Sequence, residues 1–182
     1  MNDKAEKVYA DAFFTLCLEE TPDTLKNTLG ELSALDGIFR EQPDFVKLLG
    51  TPTVTMDEKL GMIKDIIADG ISEYTGNLLC VLTERGRMGC FSGIVKNFRA
   101  LYNEHFRIAE ITVTASAPLP ESVREKIAAK MSEVTGKTVS SKEKFDPSII
   151  GGVVIDYGST RYDGSVRTSL HELKKELGGV IA

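Results

Sequence analysis

The sequence predicts an α+β protein: an N-terminal bundle of six helices over residues 1–107, then a small mixed strand–helix domain over 108–182. Two observations carry this. Apolar residues recur at three- and four-residue spacing up to about residue 107, the period of a helix face. At Glu110 the period drops to two, with Ile111, Val113, Ala115 and Ala117 alternating with Thr112, Thr114 and Ser116, the pattern of a half-buried strand.

The helices follow in order. Ala5, Val8, Tyr9, Ala12, Phe13 and Leu16 give the first a broad apolar face, most of it expected in the core. Thr21 and Pro22 suit the cap and first position of the second, because the proline lacks only an N–H that would be unpaired there. Leu25, Leu29, Leu32 and Phe39 are its stripe. Pro43 interrupts it, and a short turn with Phe45, Leu48 and Leu49 follows. After a break at Pro52, Thr55 and Glu58 stand at capping-box spacing, and Leu60, Ile63 and Ile67 line a fourth helix that Gly70 ends. Leu78, Leu79, Val81 and Leu82 mark a fifth, closed by Arg85-Gly86-Arg87. Phe91, Ile94, Val95, Phe98, Leu101 and Tyr102 mark a sixth. Short loops between short helices imply antiparallel packing.

In the second domain Pro118 and Pro120 stop the strand and start a helix carrying Val123, Ile127, Met131 and Val134. Gly136 is placed to end it in a left-handed conformation. Thr138 to Phe145 reads as a polar strand. Gly151-Gly152 opens a strand over Val153 to Ile155, Gly158 turns the chain, and a further strand ends at Tyr162. Asp163-Gly164-Ser165 then launches a last helix with Val166, Leu170, Leu173 and Leu177 on one side. Asp163 is expected to cap it by accepting from the N–H groups of Ser165 and Val166, and Gly164 to take a positive φ.

Several function classes are disfavoured. A net charge of −5 lacks the basic surplus of a nucleic-acid binder. No apolar run approaches the ~20 residues that span a bilayer, so no direct membrane insertion is expected, and the N-terminal residues resemble neither a signal peptide nor an import leader. The expected location is cytosolic. Cys17, Cys80 and Cys90 fit no metal-ligand spacing, and Cys17 and Cys80 read as small buried hydrophobes. There is no G-x-x-x-x-G-K-[ST] phosphate loop, and Gly151-Gly152 precedes a strand rather than a helix, so no nucleotide site or other cofactor is expected and the glycine pair reads as a bend or close backbone approach at the strand start. His105 and His171 read as solvated helix residues. An enzymatic reading would have to gather Asp163, Arg167 and His171 around the last helix, without a convergent nucleophile and base. A groove for a partner helix, formed by the part of the first helix face that the bundle leaves uncovered, is the alternative to a wholly buried stripe.

Five segments in order carry a family likeness: Val8-Tyr9-Ala10-Asp11-Ala12-Phe13-Phe14; Leu49-Gly50-Thr51-Pro52 with Glu58-Lys59; Asn77-Leu78-Leu79 with Glu84-Arg85-Gly86-Arg87; Ala109 through Leu119; and Asp146 through Val153 with Asp163-Gly164-Ser165-Val166-Arg167. Together they resemble the delta subunit of F-type ATP synthases, called the oligomycin-sensitivity-conferring protein in mitochondria. Gly151, Gly152, Asp163, Gly164 and Ser165 form its C-terminal signature. Arg161-Tyr162 departs from it, since the family usually carries two apolar residues there.

The resemblance implies a non-catalytic stator subunit. Its first domain would bind the N-terminal helix of an alpha subunit, around Tyr9, Ala12, Phe13, Leu78 and Leu82. Its second would meet the C-terminal end of the b-subunit stalk. Other subunits of the catalytic head would be neighbours, and the chain would lie peripherally at the cytoplasmic face of a bacterial membrane.

Overall fold

The helical periods of the first hundred residues become six α-helices: α1 (Asp3–Leu18), α2 (Pro22–Glu41), α3 (Pro43–Gly50), α4 (Met56–Ala68), α5 (Glu73–Glu84) and α6 (Phe91–His105). A single 3-10 turn, Met88–Cys90, precedes α6. The computed structural model describes residues 3–20, 22–50, 54–68 and 70–180; Thr21 and Pro52 lie outside the described residues. The chain divides into two compact units, Met1–Tyr102 and Asn103–Ala182.

The first unit closes around aromatic rings. Phe98 is fully buried, with the rings of Phe13 and Phe14 at 5.6 and 5.5 Å; Phe39 meets Phe91 edge-on at 5.0 Å. Ring pairs in such geometry add to the burial of their area. The core face of α1 is Ala10, Phe13, Phe14 and Cys17. This corrects the expectation for the first helix: of its stripe, Val8 is 60% and Leu16 47% exposed, and only Phe13 is buried. The apolar arc of α1 is wider than one bundle contact can cover, and the bundle takes the side carrying Phe14 and Cys17.

Local caps hold the ends of these helices. Thr55 and Glu58 form the expected reciprocal box: the Thr55 N–H donates to Glu58 at 3.0 Å and the Glu58 N–H to the Thr55 hydroxyl at 3.4 Å. A second cap draws on distant sequence. Glu31, in the middle of α2, accepts from the Ser72 N–H (3.2 Å), the Ser72 hydroxyl (2.6 Å) and the buried Thr75 hydroxyl (2.5 Å) at the start of α5. Its charge sits where the helix dipole favours it. Glu31→Ala should therefore destabilise the first unit by about 1–3 kcal/mol, because a buried hydroxyl loses its acceptor. Urea unfolding of the two proteins measures it, and equal midpoints would show that the tether contributes nothing.

The second unit is a four-stranded sheet, β1 (Ile108–Ala115), β2 (Thr138–Phe145), β3 (Gly152–Tyr157) and β4 (Thr160–Ser165), in the order β2-β1-β3-β4. β1 and β2 run parallel and are joined through α7 (Glu121–Thr135); β3 is antiparallel to β1 and to β4. Ile111, Val113 and Met131 form the core, with Leu119, Ile127, Val139, Val153, Ile155 and Tyr157 packed on it. Gly136 ends α7 at φ +64, as its sequence position predicts. Ala117 lies past β1 and Val134 on the exposed side of α7, so neither joins the stripe expected of it. Arg161, the departure from the family pattern, forms a cross-strand pair with Asp156 at 2.6 and 3.2 Å. Arg161 thus finds a charged partner on a strand that is exposed along most of its length.

The final strand corrects the sequence reading. β4 does not stop at Tyr162 but runs through Asp163 and Gly164 to Ser165, and α8 (Val166–Val180) begins directly after it. Gly164 does not take a positive φ; Gly152 does, at +79. A Cβ on Gly152 would stand 2.2 Å from the Gly164 carbonyl oxygen, whereas one on Gly164 would meet the Val153 oxygen at 3.3 Å. The close backbone approach expected at the glycine pair is thus found at Gly152, and the positive φ expected at Gly164 is not.

Three carboxylates of this unit have lowered pKa values. The Ser148 hydroxyl and N–H lower the pKa of Asp146, Arg161 lowers that of Asp156, and the Ser165 N–H and hydroxyl with the Thr168 hydroxyl lower that of Asp163. In the first unit Thr55 does the same for Glu58. A depressed carboxyl pKa stabilises the fold above the unfolded value, about 4, and the contribution vanishes as pH falls through the lower folded values. Below about pH 4 the second unit should lose thermal stability, and Asp156→Asn with Asp163→Asn should flatten that fall. Melting curves between neutral and acid pH test this; an equally steep loss in the double variant would contradict it.

Candidate functional site

Two helices of the first unit leave a groove between them. From α1 come Tyr9, Ala12, Phe13 and Leu16; from α5 come Tyr74, Asn77, Leu78 and Val81. Each set has the spacing i, i+3, i+4, i+7, one helix face. The space is about 400 Å³. Phe13 and Leu78 are buried and make the floor, while Ala12, Leu16 and Val81 are exposed. Ala12 leaves room where a larger residue would fill it.

Polar contacts fix both tyrosines. The Arg87 guanidinium donates to the Tyr9 hydroxyl at 3.3 Å and lies 5.7 Å from the ring centroid, within cation–π range. At Tyr74, a hydrogen bond to Glu20 is the main cause that raises the phenol pKa. Both rings are thus held at the groove before any ligand arrives, which lowers the ordering cost of binding.

Of the residues singled out in the sequence, Tyr9, Ala12, Phe13 and Leu78 are brought together. Leu82 is not: it is fully buried and serves the core. Successive helix residues point about 100° apart, so Val81 rather than Leu82 reaches the groove. Tyr74 and Asn77 were missed; extending the α5 face backwards from Leu78 by one and four residues finds both.

The residues of the enzymatic reading do not converge. Asp163 accepts from the Ser165 N–H at 2.9 Å and the Thr168 hydroxyl at 2.8 Å. The Ser165 hydroxyl is the cap proper, accepting from the Thr168 N–H at 3.2 Å. The Val166 N–H, expected on Asp163, goes instead to the Gly151 carbonyl at 3.0 Å. Arg167 and His171 line a separate notch with Ile150, Leu170 and Lys174. Asp163, with its pKa lowered, is a weak base. Cys17 and Cys90 are buried and Cys80 half-buried, and burial pushes the Cys17 thiol pKa up, away from nucleophilic character. Among the described residues no group of His, Cys, Asp and Glu is arranged to hold a metal ion, and no helix is long and apolar enough to cross a membrane.

Comparison with known proteins gives a consistent result. The family model "ATP synthase delta (OSCP) subunit" matches residues 5–177. ATP synthase subunit delta of Anaeromyxobacter sp. (strain Fw109-5) is 33% identical over 170 residues, 93% of this chain and 94% of that protein. The chloroplastic subunit delta of Emiliania huxleyi is 33% identical over 173 residues, 94% of this chain and 95% of its own. The mitochondrial ATP synthase subunit O of Ipomoea batatas is 31% identical over 172 residues, 93% of this chain and 70% of its own. A chain in the Toxoplasma gondii mitochondrial ATP synthase hexamer shares the fold, with TM-score 0.71 and 21% identity over 94% of this chain and 96% of that one. This chain belongs to the ATP synthase delta (OSCP) subunit family, and is a non-catalytic stator component of the F-type ATP synthase rather than an enzyme.

Proposed function

We propose that the α1–α5 groove holds the N-terminal helix of an alpha subunit at the top of the catalytic head, and that the second unit meets the C-terminal end of the b-subunit stalk. The groove supports the first contact: it is open and mostly apolar, about 400 Å³, with exposed Ala12, Leu16 and Val81 along it and Tyr9 and Tyr74 among its lining residues. An amphipathic helix enters such a groove with its own i, i+3, i+4, i+7 ridge. Held at both ends, the chain resists the torque of the rotor from a peripheral position at the cytoplasmic face of the membrane. Hydrolysis needs only the alpha–beta ring and the rotor, whereas synthesis needs the ring held still.

Reconstitution tests this reading. Membranes stripped of the chain should lose ion-driven ATP synthesis while the detached head still hydrolyses ATP, and adding the purified chain back should restore synthesis. Normally coupled synthesis in its verified absence would overturn it.

A further inference from the structure

We infer that the two ends of the α1–α5 groove have opposite hydrogen-bonding character, a donor at Tyr9 and an acceptor at Tyr74, and that the groove selects a helix carrying an acceptor and a donor side chain about two turns apart on its apolar ridge. The inference rests on the groove reading, since it gives the chemistry of the segment that the groove holds.

At one end the neighbour of Tyr9 is Arg87. A guanidinium has five N–H donors and no acceptor. The Tyr9 oxygen therefore accepts in the 3.3 Å bond from Arg87, and the phenol keeps its own proton to donate. The backbone holds Arg87 in place for this. Gly86, at φ +61, ends α5 in the left-handed conformation. Its N–H donates to the Thr83 carbonyl at 3.0 Å, and the Arg87 N–H donates to the Leu82 carbonyl at 2.8 Å. That pair of bonds is the Schellman close of a helix, and the next residue, Met88, is buried. With its main chain fixed on both sides, Arg87 reaches back 78 residues to Tyr9. The Arg85-Gly86-Arg87 turn thus does more than stop a helix.

At the other end the neighbour of Tyr74 is Glu20, whose carboxylate only accepts. The Tyr74 hydroxyl is the donor in that bond, and its raised phenol pKa agrees, because the bond needs the proton. What remains to Tyr74 is its oxygen lone pairs. The charge of Glu73 also reaches this ring, so this end favours donors. Asn77, one turn along α5, both donates and accepts and sets no polarity. Both tyrosines are half-buried and lose their remaining water when a helix covers them. A hydroxyl then faces a partner that completes its bonds or stays unpaired. A matched helix sets a carboxylate or an amide oxygen at Tyr9 and an ammonium, guanidinium or amide N–H at Tyr74. From Tyr9 to Leu16, one turn before Glu20, the groove wall rises about 10 Å, so the two groups stand near i and i+7 of the entering ridge.

The test uses the full chain and a synthetic peptide of the alpha-subunit N-terminal segment from the same synthase. Calorimetry in about 0.5 M salt is the readout, so that longer-range charge is screened. Arg87→Glu gives Tyr9 an acceptor as neighbour, turns the phenol proton toward it, and should weaken binding about tenfold. Arg87→Lys keeps a donor-only neighbour and should bind within about twofold of the wild type. Glu20→Lys should weaken binding about tenfold by the same reversal at Tyr74. Tyr9→Phe supplies the deciding cycle: it weakens binding by itself, and adding Arg87→Glu to it should cost nothing further, because no hydroxyl remains to be turned. Arg87 and Glu20 are exposed, so all these variants should melt with the wild type. An equal loss from Arg87→Glu with and without the Tyr9 hydroxyl would overturn the inference, because Arg87 would then meet the peptide directly. So would unaltered affinity in Arg87→Glu and Glu20→Lys. Both results leave the groove as the site. Peptide binding that Ala12→Asp does not weaken would overturn the groove reading, and the inference with it.

Discussion

Placing an aspartate at Ala12 should abolish capture of the alpha-subunit segment while leaving the first unit folded. Ala12 is exposed, so the new carboxylate is hydrated in the free chain and disturbs no packing. When a helix fills the groove, that carboxylate is buried against apolar side chains with no cation beside it; the guanidinium of Arg87 is engaged with Tyr9. An uncompensated buried charge costs roughly 3–5 kcal/mol, which is more than about a hundredfold in dissociation constant. Leu82→Ala should behave in the opposite way. It leaves the groove surface intact but opens a cavity in the core, lowering the stability of the first unit by about 2–5 kcal/mol. Peptide titration and thermal melting of both variants separate the two effects. If Ala12→Asp binds the alpha segment as the wild type does, the contact lies elsewhere on the bundle.

Gly152→Ala should disrupt the second unit far more than Gly164→Val. At φ +79 a side chain is already disfavoured, and the added Cβ would stand 2.2 Å from the Gly164 oxygen, a backbone atom that cannot swing away. β3 and β4 must separate at that register pair, Gly152 with Ser165. Strain and lost pairing together should cost roughly 2–4 kcal/mol, against a total of about 4–12 kcal/mol for a unit of this size. At Gly164 the φ is ordinary and the nearest contact, 3.3 Å to the Val153 oxygen, asks for a small shift. Valine also suits an extended strand. Hydrogen exchange of the β3 and β4 amides reads the difference. Equal protection in the two variants would show that the close approach at Gly152 carries no strain.

Much of the architecture was legible because it is local. Helix ends were written in Pro22, in the Thr55–Glu58 pair, in Gly136 and in Arg85-Gly86-Arg87, each acting over one turn of backbone. The strand of the second unit was legible because its period of two is set by a single buried face. β2 was also visible as a polar strand, because Gly136 ends the helix before it; its parallel pairing with β1 was not. The family was readable for a different reason: five short segments recur in its order along nearly the whole chain.

Tertiary structure alone decided which of two similar faces each helix buries. α1 carries apolar residues around more than half its circumference, and only the positions of Phe98 and its neighbours turn Phe14 and Cys17 inward and leave Val8, Ala12 and Leu16 outside. On α5 the same choice separates Val81 from Leu82, one residue apart. Long-range partners were invisible: Glu31 reaches 41 residues to Ser72, and although a close backbone approach at Gly151-Gly152 was legible, that Gly164 is the residue passing Gly152 was not. Burial and register are properties of pairs of elements. A sequence determines by itself the period, the caps and the punctuation of each element, and the assembled fold decides which side of each one water still reaches.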